Sequence, residues 1–458
     1  MTVLWPAHAL LAATGGTCDS PFEASGVSID TRTLRPGELF VALVGEHGDG
    51  HDHVAAALTA GAAGVLAHRP TSAPRTILVE DTLAALHRLG AAGRARFTGR
   101  LVAVTGSVGK TSTKEMLRAM LAAQGATHAA QASYNNHWGV PLTLALLPPA
   151  ADWCVAEIGM NHAGEIAPLA RLARPHVAVI TAIEPAHLGP LGSLEAIADE
   201  KASIARGLLP GGTIVLPAGH RLLPRLLAAV HDARVVTFGY APEADLRLLA
   251  CDGDATGSQV TAQAGDIRLD FRLGAPGRHM ALNALAALAA VRALGGDMTR
   301  AAAALADFTP VTGRGACRPI LGGAATLLDE SYNASPAAVR AALAVLRLIP
   351  AERRLAVLGD MLELGEAGPA EHAGLAGDVA AHADLLFTCG TLTTALREAM
   401  PPPRRGAHAA DSQALAPLVA AAVQPGDAVL VKGSLGSRMR HVVAALDALA
   451  PARAGSAA

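Results

Sequence analysis

The run Thr105, Gly106, Ser107, Val108, Gly109, Lys110, Thr111 and Ser112 carries the most explicit chemistry in this chain. It follows LVAV from Leu101, an apolar and largely β-branched stretch that predicts a buried strand. It opens TSTKEMLRAMLAAQG, whose apolar spacing is helical and whose stop signal is Gly125. Strand, glycine turn and helix in that order form a phosphate cradle. Glycine lets backbone N–H groups close on an anion, and the helix start adds partial positive charge. Lys110 is placed to reach β- and γ-phosphates, and Thr111 to offer its hydroxyl to Mg²⁺. Val104 stands where the general pattern G-x-x-x-x-G-K-S/T has its first glycine. The context still implies a nucleoside triphosphate.

Open parallel sheets bind ligands beyond the carboxyl ends of their strands, and two candidate metal ligands fall there. Glu157 closes the expected strand WCVAEIG, and His187 follows HVAVITAI by a few residues. A carboxylate and an imidazole beside a triphosphate can hold the divalent cations of phosphoryl transfer. Two polar loops lie close by in sequence, NNHWGVPLTLAL from Asn135 and EIGMNHAGEI from Glu157. Their Asn135, Asn136, Asn161 and His162 suit a helix cap or a ligand, and the two roles coexist at helix starts.

The elements that must position these groups alternate along the chain. With 458 residues, three domains are the natural expectation. We place them at 1–98, 99–311 and 312–458. The basic, glycine-containing segment AAGRARFTGR marks the first boundary, and PVTGRG, from Pro310, marks the second. WCVAEIG, HVAVITAI, TIVL and RVVTFG alternate with helical segments, which predicts a mainly parallel sheet covered on both faces. Residues 245–273 read as an antiparallel annex. ATLLDES, RLAVLGD, LLFTCG and DAVLVKGS repeat the alternation in a smaller, Rossmann-like C-terminal unit. The expected class is therefore α/β in three domains, the first a small α/β unit. Near the start, Pro6 opens a helix that stops at Gly15, and no Lys or Arg precedes the apolar run, so a signal peptide is not expected.

Composition narrows the function. Thirty-seven basic residues against 39 acidic ones argue against nucleic acid or an anionic membrane surface as a partner. The five cysteines are scattered without a C-x-x-C pair, which predicts neither a disulfide framework nor a zinc site. The apolar run from Ala281 is cut by Asn283 and Arg292 and is too short to span a bilayer. A soluble cytoplasmic protein is the expectation.

TGSVGKTSTKEML, NNHWGVPLTL, EIGMNHAGEI and GRHMALNALAA together resemble the Mur ligases, ATP-dependent amide-forming enzymes of bacterial peptidoglycan synthesis. The shortened glycine loop is the form that this family uses. IDTRTLRPGELFVALVGEHGDGHDH, LLDESYNASP, VLGDMLELGEAGPAEH and VLVKGS are similar to the branch that adds D-alanyl-D-alanine to UDP-N-acetylmuramoyl-tripeptide. The likeness implies an acyl-phosphate route with ATP and Mg²⁺, acting on small molecules, in a chain expected to be monomeric. It assigns Thr105 to Ser112 to ATP, Asn283 to adenine, and Arg314 and Asp329 to closure over the nucleotide. Thr111, Glu157 and His187 fall to Mg²⁺, and Lys201 matches the lysine that these ligases carbamylate with CO₂. Thr31, Arg32, His47, Gly48, Asp49 and His51 fall to the UDP-linked substrate. Asn135, Asn136, Asn161, Tyr332 and Asn333 join them as substrate contacts. The pair His137-Trp138 departs from the acidic or polar residue and aliphatic residue expected there. A ligase adding the third amino acid would carry D-N-P-R in its last domain, and a GTPase switch would carry N-K-x-D; neither run is present. Folylpolyglutamate synthase shares the central fold without such a first domain.

Overall fold

The computed structural model describes residues 2–45, 48–185 and 188–449. Three larger sheets follow one another along the chain, each with helices against it. In the central sheet the strands run, from one edge, Thr127–Ala129, Trp153–Glu157, Arg100–Thr105, Val177–Ile180, Thr213–Pro217 and Arg234–Gly239. All of these pair in parallel.

Strand Arg100–Thr105 shows why this sheet is covered twice. Side chains alternate across a strand. Val102 and Val104 enter one core with Met116, Leu117 and Leu285, while Leu101 and Ala103 enter the other with Leu144, Ile166 and Ile197. The annex is not separate from this sheet. Leu246–Asp254 continues it in parallel at Phe238 and Gly239, and the turn to antiparallel comes only with Gly257–Ala264 and Ile267–Leu273.

The first sheet orders Gly26–Ser28, Glu38–Val41, Gly64–Ala67 and Thr76–Leu78, all parallel. The last orders Ala316–Ile320, Ala325–Glu330, Asp427–Lys432, Arg353–Gly359, Leu385–Cys389 and Arg405–Ala409, antiparallel only at its first pair. These sheets bear out an α/β fold with a parallel centre and a Rossmann-like C-terminal unit.

The segment AAGRARFTGR, where the first boundary is placed, is largely helical. Its first six residues finish the helix Thr82–Arg96. Arg94 is buried and donates to the carbonyls of Ala173 and Arg174 at 2.7 and 2.8 Å. Arg96 lies 3.7 Å over the Trp5 ring, and the Trp5 indole N–H donates to the Ala145 carbonyl at 2.9 Å. Helix Thr82–Arg96 thus lies flush against helix Gly139–Ala145, made possible by two glycines. A Cβ on Gly90 would stand 2.8 Å from the Pro141 carbonyl oxygen, and one on Gly93 would overlap that of Leu144.

Gly93→Ala should lower the melting temperature, with a cost of about 1–3 kcal/mol from forcing the two helices apart. Gly377→Ala, in a helix where an added methyl meets nothing within 4 Å, should raise it through the better helix propensity of alanine. Thermal melts of the two variants beside the parent check both signs.

Candidate active site

The phosphate loop links the carboxyl end of strand Arg100–Thr105 to helix Lys110–Ala122. Gly106 and Gly109 take φ of 148° and 82°, the second left-handed at the helix cap, where L side chains are strained. The space around them is also closed. A Cβ on Gly106 would overlap the Thr181 hydroxyl, and one on Gly109 would overlap Asn283 Oδ1. The Thr181 hydroxyl donates to the carbonyls of Val108 at 2.5 Å and Thr105 at 3.3 Å. The Ser107 amide donates to the Ala182 carbonyl at 2.8 Å. The Ser107 hydroxyl donates to the Glu184 carbonyl and accepts from the Glu184 amide, both at 2.9 Å. Residues 181–184, after the neighbouring strand, therefore brace the loop from behind.

Lys110 is half-buried and donates to the Gly106 carbonyl at 2.8 Å. Burial pulls its pKa down, against the opposing charge of Glu157. Glu157 ends its strand with its side chain only 1% exposed. Its Oε1 accepts from the Thr111 hydroxyl at 3.2 Å and from Asn135 Nδ2 at 2.7 Å, whereas its Oε2 is buried without a partner. An unsatisfied buried carboxylate oxygen is costly, and a cation would offset that cost. Carboxylate and hydroxyl oxygens are the donors that Mg²⁺ prefers, so these residues fit that ion. Among the described residues there is no group of three or more His, Cys, Asp or Glu side chains able to hold a metal. His187, the other expected ligand, lies outside the described residues.

Lys201 is 1% exposed, so it is no solvated helix lysine. Burial, aided by the charge of Lys110 and opposed by Glu200, holds its pKa well below the ordinary lysine value. Its neighbour Glu200 caps the helix Ile166–Ala173, accepting from the amides of Gly164 at 2.8 Å and Ile166 at 2.9 Å. The Asn161 side chain does not make that cap; the Asn161 backbone N–H donates to Glu165 Oε2 at 2.7 Å. His162 meets the other oxygen of the same carboxylate. Asn136 does cap its helix, accepting from the amides of Trp138 and Gly139.

Ser133, in the loop before Asn135, accepts from Arg314 Nη2 at 3.0 Å and lies 3.3 Å from the Thr111 hydroxyl. The same guanidinium stacks 3.9 Å over the Tyr332 ring. Arg314 thus leans from the start of the third unit toward the phosphate loop. Asp329 is buried, with its carboxylate taken by Arg318 and the Ser331 amide. The Asn333 carbonyl accepts from Lys432, whose amine also pairs with Glu330 at 2.9 Å.

In the first unit, Thr31 is partly exposed, and the Arg32 guanidinium is 86% exposed and paired with Asp30. The hairpin Val44–Gly45 with Gly48–Asp49 carries the second group. Gly48 is open, and His47 lies outside the described residues. The His51 ring is already satisfied: Nδ1 meets Asp49 at 2.6 Å and Nε2 accepts from the His68 amide at 3.3 Å. The Asp49 carboxyl is held below its ordinary pKa, first by the hydrogen bond from the His51 amide.

Sequence reasoning missed Thr181, Glu184, Ser133 and Glu200. It also missed Lys114, which lies fully buried and donates to the carbonyls of Ala130 at 2.9 Å and Ala132 at 2.5 Å. A lysine four residues after Lys110, on the same helix face, was the available signal for the last.

A braced phosphate loop, an unsatisfied carboxylate beside it and an arginine leaning in from the next unit define a phosphate-loop enzyme of α/β build. Three family descriptions then tile the chain: "Mur ligase family, catalytic domain" over residues 23–101, "Mur ligase middle domain" over 104–291 and "Mur ligase, glutamate ligase domain" over 317–435. The UDP-N-acetylmuramoyl-tripeptide–D-alanyl-D-alanine ligase of Synechocystis is 37% identical over 435 residues, covering 92% of each chain. A crystal structure of MurF from Acinetobacter baumannii superposes with a TM-score of 0.85 at 29% identity, covering 96% of this chain and 98% of that one. MurF from Thermotoga maritima, in complex with ADP, gives 0.78 at 28% identity, covering 93% and 97%. This chain belongs to the Mur ligase family.

Lys110→Ala should cut ATP-dependent turnover by at least about a hundredfold, the scale of losing a charge-stabilising group in phosphoryl transfer. Circular dichroism and melting temperature should stay unchanged, because Lys110 packs into no core. Thr181→Val keeps the shape but loses the brace on Val108, and should raise the KM for ATP in steady-state assays.

Proposed function

We propose that this protein joins D-alanyl-D-alanine to UDP-N-acetylmuramoyl-tripeptide at the expense of ATP, releasing ADP and phosphate in peptidoglycan precursor synthesis. The observation that carries the chemistry is the buried Glu157 carboxylate, with one free oxygen, bonded to the threonine of a braced phosphate loop. The relatives supply the substrates.

A carboxylate is a poor electrophile, and its attack on a γ-phosphate brings two anions together. The Lys110 ammonium offsets that repulsion, and the amides of the loop that stay free would fix the phosphate chain. The peptide carboxylate oxygen bonds to phosphorus as ADP leaves, giving an acyl phosphate. The dipeptide amine then bonds to the acyl carbon, the phosphate departs and the amine loses a proton. Thr111 and Glu157, with His187, are the residues that would hold Mg²⁺, which when bound neutralises phosphate charge. Arg314, held by Ser133 and Tyr332, would close on the nucleotide with Asp329 and help to keep water from the acyl phosphate. Asn283, packed on Gly109, borders the nucleotide site from the helix side and is assigned to adenine.

Burial lowers the Lys201 pKa and so favours the neutral amine that would attack CO₂; the new N–C bond would make a carbamate and release one proton. We assign that carbamate as a further anionic ligand for Mg²⁺. Arg32 and Thr31, with His47, Gly48, Asp49 and His51, are assigned to the UDP-linked substrate. A bidentate guanidinium suits its diphosphate once Arg32 leaves Asp30. Asn135, Asn136, Asn161, Tyr332 and Asn333 are assigned to the same substrate's peptide and to the incoming dipeptide. The functional units fall at 1–98, 99–311 and 312–458. We take the protein to be a cytoplasmic monomer; no helix among the described residues is long and apolar enough to cross a membrane.

ADP formation that requires both the UDP-linked tripeptide and D-alanyl-D-alanine tests the whole reading, and ADP release indifferent to the dipeptide overturns it. Arg32→Ala should raise the KM for the UDP-linked peptide and leave that for ATP unchanged. Lys201→Ala and Lys201→Arg should both be inactive, because neither can be carbamylated. Added acetate should partly restore the alanine variant, and the native protein under ¹³CO₂ should show a carbamate carbon by NMR.

A further inference from the structure

Six consecutive residues, Ser133 to Trp138, touch all three units. Ser133 meets Thr111 of the phosphate loop and Arg314 of the third unit. Asn135 donates to the Glu157 oxygen, and its carbonyl accepts from the Gly159 amide at 2.7 Å. Just upstream, the buried Lys114 amine clasps Ala130 and Ala132, so the helix that cradles phosphate also fixes the start of this segment. The other end reaches the first unit. The His137 carbonyl accepts from the His87 ring at 2.8 Å. The Trp138 ring packs against the first unit's core, and its outer edge comes so close to Gly45 that a Cβ there would stand 2.9 Å from Cη2. Gly45 belongs to the two-stranded hairpin that carries Gly48 and Asp49.

Resting on the functional reading above, we infer that Trp138 is a positioning residue for the UDP-linked substrate. Its indole seats the hairpin at a height fixed by the segment that holds Glu157 and Thr111. The hairpin is short: its strands are two residues each, Val44 is exposed and a Cβ on Gly48 would meet nothing within 4 Å, while its base is tied by Arg69 to Asp49 at 2.9 Å and by the Gly50 amide to the Leu43 carbonyl at 2.7 Å. An isolated hairpin of that size has no stability of its own. The outer edge of the ring and the missing side chain at Gly45 are complementary. The pair fixes where the hairpin stands to receive the diphosphate end of the substrate. A hairpin that drifts from that place weakens binding of the substrate in ground and transition state alike, which raises KM and leaves kcat.

Trp138→Ala should raise the KM for UDP-N-acetylmuramoyl-tripeptide about tenfold, while kcat at saturation and the KM for ATP stay within about twofold. Trp138→Phe should recover most of the loss. Gly45→Ala should reproduce the defect by pushing the ring away, and Gly45→Ala combined with Trp138→Ala should be no worse than Trp138→Ala alone, since the clash has gone. Tryptophan emission of the parent should change on titration with the UDP-linked tripeptide, and that change should vanish in Trp138→Phe. An unchanged KM in Trp138→Ala overturns the inference, as does a joint fall of kcat, ATP affinity and melting temperature. Absence of dipeptide-dependent ADP release by the parent would instead remove the functional reading itself.

Discussion

A loop that is to receive phosphate must keep free amides on its ligand side, so the bonds that stabilise it cannot be made there. Everything that holds it comes from behind: Thr181 on two carbonyls, Ser107 exchanging bonds with Glu184, and Asn283 packed on Gly109. This constraint explains the order of the strands. Val177–Ile180 lies beside the phosphate-loop strand, and the residues leaving it at the carboxyl end are the ones within reach to brace the loop. It also explains why the loop manages without the first glycine of the general pattern. At Val104 the chain is still fully buried strand, and the turn begins only at Gly106.

Charge is arranged on the same principle. Lys110, Lys114 and Lys201 all come from helices that cover this end of the sheet, yet each is handled differently. Lys114 is neutralised by Glu115 and two carbonyls, and its work is structural. Lys110 keeps to the loop's own carbonyls. Lys201 is buried with its pKa well depressed, an environment that favours a reactive amine over an ammonium.

Elements with strong local periodicity were legible in the sequence. Most strands of the central and C-terminal sheets and the helix Ala7–Thr14 follow from apolar runs, Pro6 and the left-handed Gly15, whereas Thr127–Ala129, Ala316–Ile320 and Arg405–Ala409 were not read. The family likeness was legible too, since its motifs sit at turns where few residue types can stand. What stayed hidden depends on distance along the chain. Glu200 caps a helix that starts more than thirty residues earlier, and Thr181 braces a loop more than seventy residues away. No local pattern encodes either partner. The role of Arg94 was hidden for the same reason, since its guanidinium satisfies two carbonyls at the end of a helix some eighty residues on.

The contact between helices Thr82–Arg96 and Gly139–Ala145 bears on how this architecture can be recombined. Leu142 and Ala145 belong to the hydrophobic cluster of the first unit, although they lie nearly fifty residues beyond its last helix. The socket for the amino-terminal unit is therefore encoded inside the central unit. A chimera made by exchanging only the first hundred residues between relatives would join two helix surfaces that did not evolve together. The natural cassette for transplantation is discontinuous: the first hundred residues together with the short helix after Trp138.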